Sequence, residues 1–182
     1  MASGGEQWEG EEVEFCPKLL LPFNALFVGA SQAGKTTLLS SWLSNLDQCF
    51  EPRPHKVLWL FAESQPLLAE TKKALEQQGV QMILHRGCDD VEQLVKRYAE
   101  PEKGPLVVVI DDATDTAMTK ESIAGLSTRI RHQNACLFMI VHTIYSKYPS
   151  ARVLAQNCAY LVLLPGARLR SQVSALSCQL SV

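Results

Sequence analysis

Residues 29 to 36, Gly29-Ala30-Ser31-Gln32-Ala33-Gly34-Lys35-Thr36, read G-x-x-x-x-G-K-T, with the apolar run Phe23 to Val28 before them and a helical pattern from Lys35 to about Leu46 behind. Few local patterns restrict a fold so strongly. A strand must end, the backbone must turn tightly, and a helix must begin with its unpaired amides facing into the turn. Glycines at both ends let such a loop close around phosphate oxygens, and the helix N-terminus adds positive potential.

The rest of the chain agrees with that local frame. Short runs rich in Val, Ile, Leu and Phe alternate with helical patterns, the signature of βα units around a buried, mainly parallel sheet. Strands are expected at Phe23 to Val28, Lys56 to Ala62, Val80 to Leu84, Leu106 to Ile110, Cys136 to His142 and Tyr160 to Leu164. Pro66 suits the first turn of a helix running to about Gln78. Ile123, Leu126 and Ile130, and later Val173, Leu176 and Leu180, recur at helical spacing and read as core-facing stripes. The resulting class is α/β, a three-layer αβα core.

With 182 residues the chain has room for one such domain, residues 21–182. Residues 1 to 14 hold Glu6, Glu9, Glu11, Glu12 and Glu14 without a Lys or Arg, and residues 1–20 read as an acidic, disordered tail. The formal net charge of -2 hides this asymmetry. Beyond residue 120, Arg129, Arg131, Lys147, Arg152, Arg168 and Arg170 face only Glu121, so the C-terminal third is basic. That bias fits either a phosphate-facing surface or an ordinary solvated one. The longest aliphatic run, Leu106 to Ile110, is far too short to span a membrane. The N-terminus lacks the basic start and apolar stretch of a signal peptide, so an intracellular chain is expected. Its six cysteines form no CxxC pair and the four histidines no HxxxH pair, which argues against a metal cluster and against disulfides.

Chemistry concentrates at three strand ends. Lys35 supplies a mobile cation for the β and γ phosphates of a nucleotide and Thr36 a hydroxyl for Mg²⁺; the geometry of P-loop families further implies that Thr37 or backbone amides reach the α phosphate. Leu106 to Ile110 runs into Asp111-Asp112, a Walker B pattern: Asp111 belongs to the metal shell and Asp112 is placed to polarise an attacking water. The run Cys136 to Val141 ends at His142, which reaches the γ phosphate if its strand lies between the other two; otherwise it is a hydrogen-bonded edge residue. No N-K-x-D supports a GTPase and no LSGGQ-like run an ABC ATPase.

Beyond these motifs, Gln65-Pro66, Asp111-Asp112, Thr128-Arg129, His132-Gln133-Asn134, Arg152, Asn157, Tyr160 to Leu163 and Arg168 follow one another in an order that resembles the viral DNA-packaging ATPases of the FtsK/HerA superfamily, the poxvirus-type group also found in adintovirus-like and Polinton elements. The likeness runs over residues 23 to 180. It implies an additional-strand, RecA/FtsK-like P-loop NTPase core that uses ATP and Mg²⁺, and a homo-oligomeric ring that moves double-stranded DNA, gripping its backbone without base specificity. It further implies a capsid or portal partner, work in the nucleus or cytoplasm of an infected host cell, and a place in the virion. An arginine from one subunit would reach the γ phosphate of the next, and Arg129, Arg152 and Arg168 are the candidates; each also suits a surface cation or a phosphate contact. This group generally carries glutamine where the chain has His142. Two other readings share the same motifs: a nucleotide-gated assembly or scaffold protein with vestigial hydrolysis, and a small-molecule kinase.

Overall fold

Six apolar runs form the six strands of one parallel sheet. The computed structural model describes residues 18–111, 121–143 and 149–164. In chain order the elements are β1 (Leu19–Leu20), β2 (Ala25–Val28), α1 (Lys35–Ser44), α2 (Leu46–Cys49), β3 (Phe50–Glu51), β4 (Lys56–Phe61), α3 (Pro66–Gln77) and β5 (Gln81–Arg86). They continue with α4 (Val91–Tyr98), β6 (Leu106–Asp111), α5 (Glu121–Arg129), a 3-10 turn (Ile130–Gln133), β7 (Ala135–Val141), α6 (Pro149–Gln156) and β8 (Tyr160–Leu163).

The large sheet has the order β5-β4-β6-β7-β2-β8. Every neighbouring pair is parallel. The strand before the glycine-rich loop, β2, is thus separated from the strand ending in Asp111, β6, by the inserted strand β7. This is the additional-strand layout expected from the sequence. The central strands β6 and β7 are buried along their whole length, which is why they read as unbroken apolar runs rather than alternating ones.

Two cores lie on opposite faces. Phe27, Trp59, Val107, Val109, Phe138 and Ile140 point to the face covered by α1 and α3 through Leu39, Leu43, Leu68 and Leu75. Leu26, Leu58, Val108, Ile110, Leu137 and Met139 point to the face covered by α4, α5 and α6 through Val95, Ile123, Leu126 and Leu154. The three layers follow directly from this alternation.

Asn24 locks one end of the sheet. It is 1% exposed; its Nδ2 donates to Ser127 O at 2.7 Å and to Asn157 O at 3.3 Å, and its Oδ1 accepts from Leu137 N–H at 3.0 Å. One side chain therefore links the segment entering β2 to β7, α5 and the end of α6.

Several boundaries differ from the sequence reading. The helix expected from Lys35 to about Leu46 stops at Ser44: Asn45 donates from its amide to Trp42 O and from Nδ2 to Ser41 O, while Gln78 donates from Nε2 to Ser44 O and accepts from Leu46 N–H. These side-chain amides satisfy groups freed by the break, and α2 starts at Leu46. β2 begins at Ala25, with Phe23 and Asn24 outside it, and β5 runs from Gln81 to Arg86. Ile130 is fully buried as expected, but in the 3-10 turn rather than in α5. Leu19 and Leu20, assigned to the tail on charge, pair in parallel with Phe50 and Glu51. Val173, Leu176 and Leu180 lie outside the described residues.

Cys136 is fully buried and donates from Sγ to Leu106 O at 3.5 Å, and burial pushes its thiol far above the ordinary range. Burial likewise pushes the Cys158 thiol up to about 11. Both are inert packing groups. Among the described residues, no helix is long and apolar enough to cross a membrane.

Candidate functional site

The loop after β2 is shaped by two backbone requirements. Gly29 N–H donates to Val141 O at 3.3 Å, tying the loop to β7. A Cβ at Gly29 would stand 3.1 Å from Leu164 Cβ and 3.2 Å from Ala33 Cβ, so the bare backbone permits that approach. Gln32 and Gly34 then take positive φ of 62° and 84°, and Ala33 N–H donates to Ala30 O at 3.2 Å across the turn. α1 begins at Lys35, with Leu38 N–H donating to Gly34 O at 2.8 Å. The first amides of a helix have no acceptor within it, and here they open onto the loop.

Lys35 is 5% exposed. Its Nζ donates to Gly29 O at 2.9 Å and Ala30 O at 2.8 Å and lies 3.4 Å from His142 Nδ1. Thr36 Oγ1 donates to Asp111 Oδ1 at 3.3 Å. Asp111, at the end of β6, is 6% exposed. The glycine-rich loop and the Walker B strand therefore meet at one place, and β7 delivers His142 beside them.

These groups line a cleft of about 330 Å³. Ser31, Gln32, Gly34, Lys35, Thr36 and Thr37 form its loop side, and Asp111, Ile140 and His142 its sheet side. Gly29 and Ala30 contribute carbonyls to Lys35, and the Ala33 amide closes the turn onto Ala30 O. One further lining residue, Gln65 at the entry to α3, had no site role in the sequence reading. The available signal was positional: β4 is the neighbour of β6, so the residues just after it reach the same sheet edge as Asp111.

A positive cradle beside one buried carboxylate suits a triphosphate with a hard divalent cation. Thr36 Oγ1 and Asp111 Oδ1 are hard oxygen donors at hydrogen-bonding separation, the donor set that Mg²⁺ takes when most of its shell is phosphate and water. The larger cavity of about 500 Å³ beside α4 and α5 does not suit phosphate, because Asp89, Asp90 and Glu92 all line it. Lys96 first, and then Arg129, hold the Glu92 carboxyl below its usual range.

Two of the three arginine candidates, Arg129 and Arg152, do not line the cleft. Arg129, in the last turn of α5, bonds Glu92 Oε2 at 3.0 Å. Arg152 is exposed on α6. Neither lines the cleft of its own chain. Asp112, Arg168, Lys147 and Arg170 lie outside the described residues.

The fold is that of known P-loop ATPase domains. It superposes on the cytoplasmic domain of EssC with a TM-score of 0.56 and 15% identity, covering 78% of this chain and 31% of that one. EssC ATPases 2 and 3 from Geobacillus thermodenitrificans align over 77% of this chain and 32% of theirs, again at 15% identity, with a TM-score of 0.48. The chain thus spans about a third of each. No protein-family model matches it, and no curated protein matches it in sequence.

Proposed function

We propose that this chain is an ATP-hydrolysing motor of the FtsK/HerA kind that moves double-stranded DNA, its setting being the packaging of a viral genome into capsids. The observation carrying the hydrolytic part is the Thr36 to Asp111 hydrogen bond, because it joins the two halves of a nucleotide site that are 75 positions apart in sequence. The DNA and capsid parts rest on the sequence resemblance.

Each residue then has a task. Lys35 exchanges its loop carbonyls for β and γ phosphate oxygens, and the first amides of α1 and the Thr37 hydroxyl bind the remaining oxygens. Thr36 and Asp111 hold Mg²⁺, which neutralises phosphate charge when bound. Asp112 polarises the attacking water, and His142 reports the state of the γ phosphate through its contact with Lys35. Arg129, Arg152 or Arg168 acts on a neighbouring subunit's nucleotide in a homo-oligomeric ring, consistent with the place of Arg129 and Arg152 outside their own cleft. The motor domain takes in Leu19 and Leu20, which pair with Phe50 and Glu51, and the acidic stretch before them forms its tail. Lys147, Arg168 and Arg170 grip the DNA backbone, so binding weakens with salt.

The purified protein should hydrolyse ATP, and linear duplex DNA should raise the rate. Lys35→Ala and Asp112→Asn should abolish both activities, while a rate indifferent to DNA would remove the motor from the proposal. A second reading, a nucleotide-gated assembly protein with vestigial hydrolysis, is favoured by the histidine at position 142. It requires nucleotide-dependent oligomerisation without ADP formation under single-turnover conditions.

A further inference from the structure

We infer that Gln65 orients the water that attacks the terminal phosphate, an inference that rests on the ATPase reading above. The sheet order carries it. β6 lies between β4 and β7, and Phe61 at the end of β4 stands in register with Asp111. Two polar side chains consequently flank Asp111 at the rim of the cleft: His142 from the β7 side and Gln65 from the β4 side.

The two flanks differ in their commitments. His142 is engaged with the Lys35 ammonium, and Asp111 with the Thr36 hydroxyl. Gln65 holds the position just before α3 with extended backbone, φ −124° and ψ 144°, and its side chain makes no capping bond to the helix it precedes. Its carbonyl accepts from Leu68 N–H at 3.0 Å, and Pro66 fixes the first helical φ. The backbone of Gln65 is therefore held in place, and the residue is exposed and lines the cleft.

A carboxamide offers two N–H donors and a carbonyl acceptor and does not titrate in the physiological range. It can fix a water's orientation but cannot take its proton. In the step itself the water oxygen bonds to the γ phosphorus as the bridging bond to the β phosphate breaks, its electron pair leaving on ADP. The water's proton passes to solvent or the released phosphate. Gln65 holds the water in line throughout, a contribution of about 10² in rate for a positioned polar group.

The experiment compares wild type, Gln65→Ala, Gln65→Glu and Lys35→Ala for ATP turnover, binding of a fluorescent ATP analogue, and thermal melting. Gln65→Ala should lower kcat about 100-fold with nucleotide affinity and melting temperature unchanged. Gln65→Glu keeps an acceptor, so it should recover part of the rate near neutral pH and lose it more steeply than wild type on acidification, as the new carboxylate protonates. A Gln65→Ala rate within twofold of wild type overturns the inference and leaves the ATPase reading standing. A rate loss matched by an equal loss of affinity or of melting temperature also overturns it, as the residue is then structural. A wild type that neither turns over ATP nor differs from Lys35→Ala in binding brings down the ATPase reading, and this inference with it.

Discussion

Lys35 Nζ lies 3.4 Å from His142 Nδ1 while donating to the carbonyls of Gly29 and Ala30. An ammonium can only donate, so the contact is a hydrogen bond when Nδ1 carries a lone pair and the ring proton sits on Nε2. The strand inserted between β2 and β6 thus ends on the same cation that the loop uses. Any group replacing His142 must accept from Lys35 to preserve the arrangement.

That requirement gives the first prediction. His142→Gln keeps an acceptor at the end of β7 and should retain ATP turnover to within a few-fold, whereas His142→Leu removes it and should lower kcat by about 10-fold or more. Steady-state kinetics of the two variants decide the matter, and equal rates would show that the Lys35 contact is incidental to turnover.

The Thr36 to Asp111 pair, at 3.3 Å, is expected to act as one unit through a shared cation. Thr36→Ala and Asp111→Asn should each raise the Mg²⁺ concentration needed for tight nucleotide binding by about tenfold or more, while leaving the weak Mg²⁺-free binding nearly unchanged. The double variant should be little worse than the poorer single one, because residues sharing a partner are not additive. Magnesium titrations of nucleotide fluorescence measure all three.

Much of this site was legible in the sequence because its parts are local. The loop from Gly29 to Thr36 carries its own turn chemistry, with Gly34 at φ 84° where only glycine is unstrained. Leu106 to Asp111 and Ala135 to Val141 read as buried strands because both of their faces are covered. What escaped the sequence depends on distant pairing. Gln65 enters the cleft only because β4 adjoins β6, and Gln78 breaks the helix after Ser44 from 34 positions away. The pairing of Leu19 and Leu20 with Phe50 and Glu51 joins positions about 30 apart, and the acidic run ending at Glu14 drew the tail boundary past them.

Acid stability should report an ion cluster at the start of β4. Glu100 Oε1 bonds Lys56 Nζ at 2.5 Å, and Oε2 bonds Lys103. The Lys103 bond first, and then that of Lys56, pulls the Glu100 carboxyl down from 4.5 to about 2. A carboxylate depressed in the folded state stabilises it above the unfolded value, and that contribution disappears as pH falls through the folded one. Wild type should therefore exceed Glu100→Gln in urea midpoint at pH 7, and the gap should close between about pH 4.5 and pH 2. Glu100 is half-buried and Lys103 exposed, so solvent and salt reach the cluster and keep the gap small. A gap constant across that range would mean that Glu100 acts through packing alone.

Asn24 offers the sharpest test of how the sheet is held. Replacing it with Leu removes the Nδ2 donor to Ser127 O and the Oδ1 acceptor for Leu137 N–H, both in the interior. Each buried group left without a partner costs about 1–3 kcal/mol, so the variant should lose about 2–6 kcal/mol despite its similar size. Asn24→Asp keeps the acceptor but turns an oxygen toward the Ser127 and Asn157 carbonyls, and it should be at least as damaging at neutral pH and partly relieved when protonated. Because Asn24 joins β7, α5 and α6 rather than the nucleotide loop, the loss should appear as a lower urea midpoint with nucleotide affinity unchanged at temperatures where the protein remains folded. Hydrogen exchange should locate it as faster exchange at Leu137 N–H and at the amides of Ala159 and Tyr160, which donate to the Asn24 carbonyl.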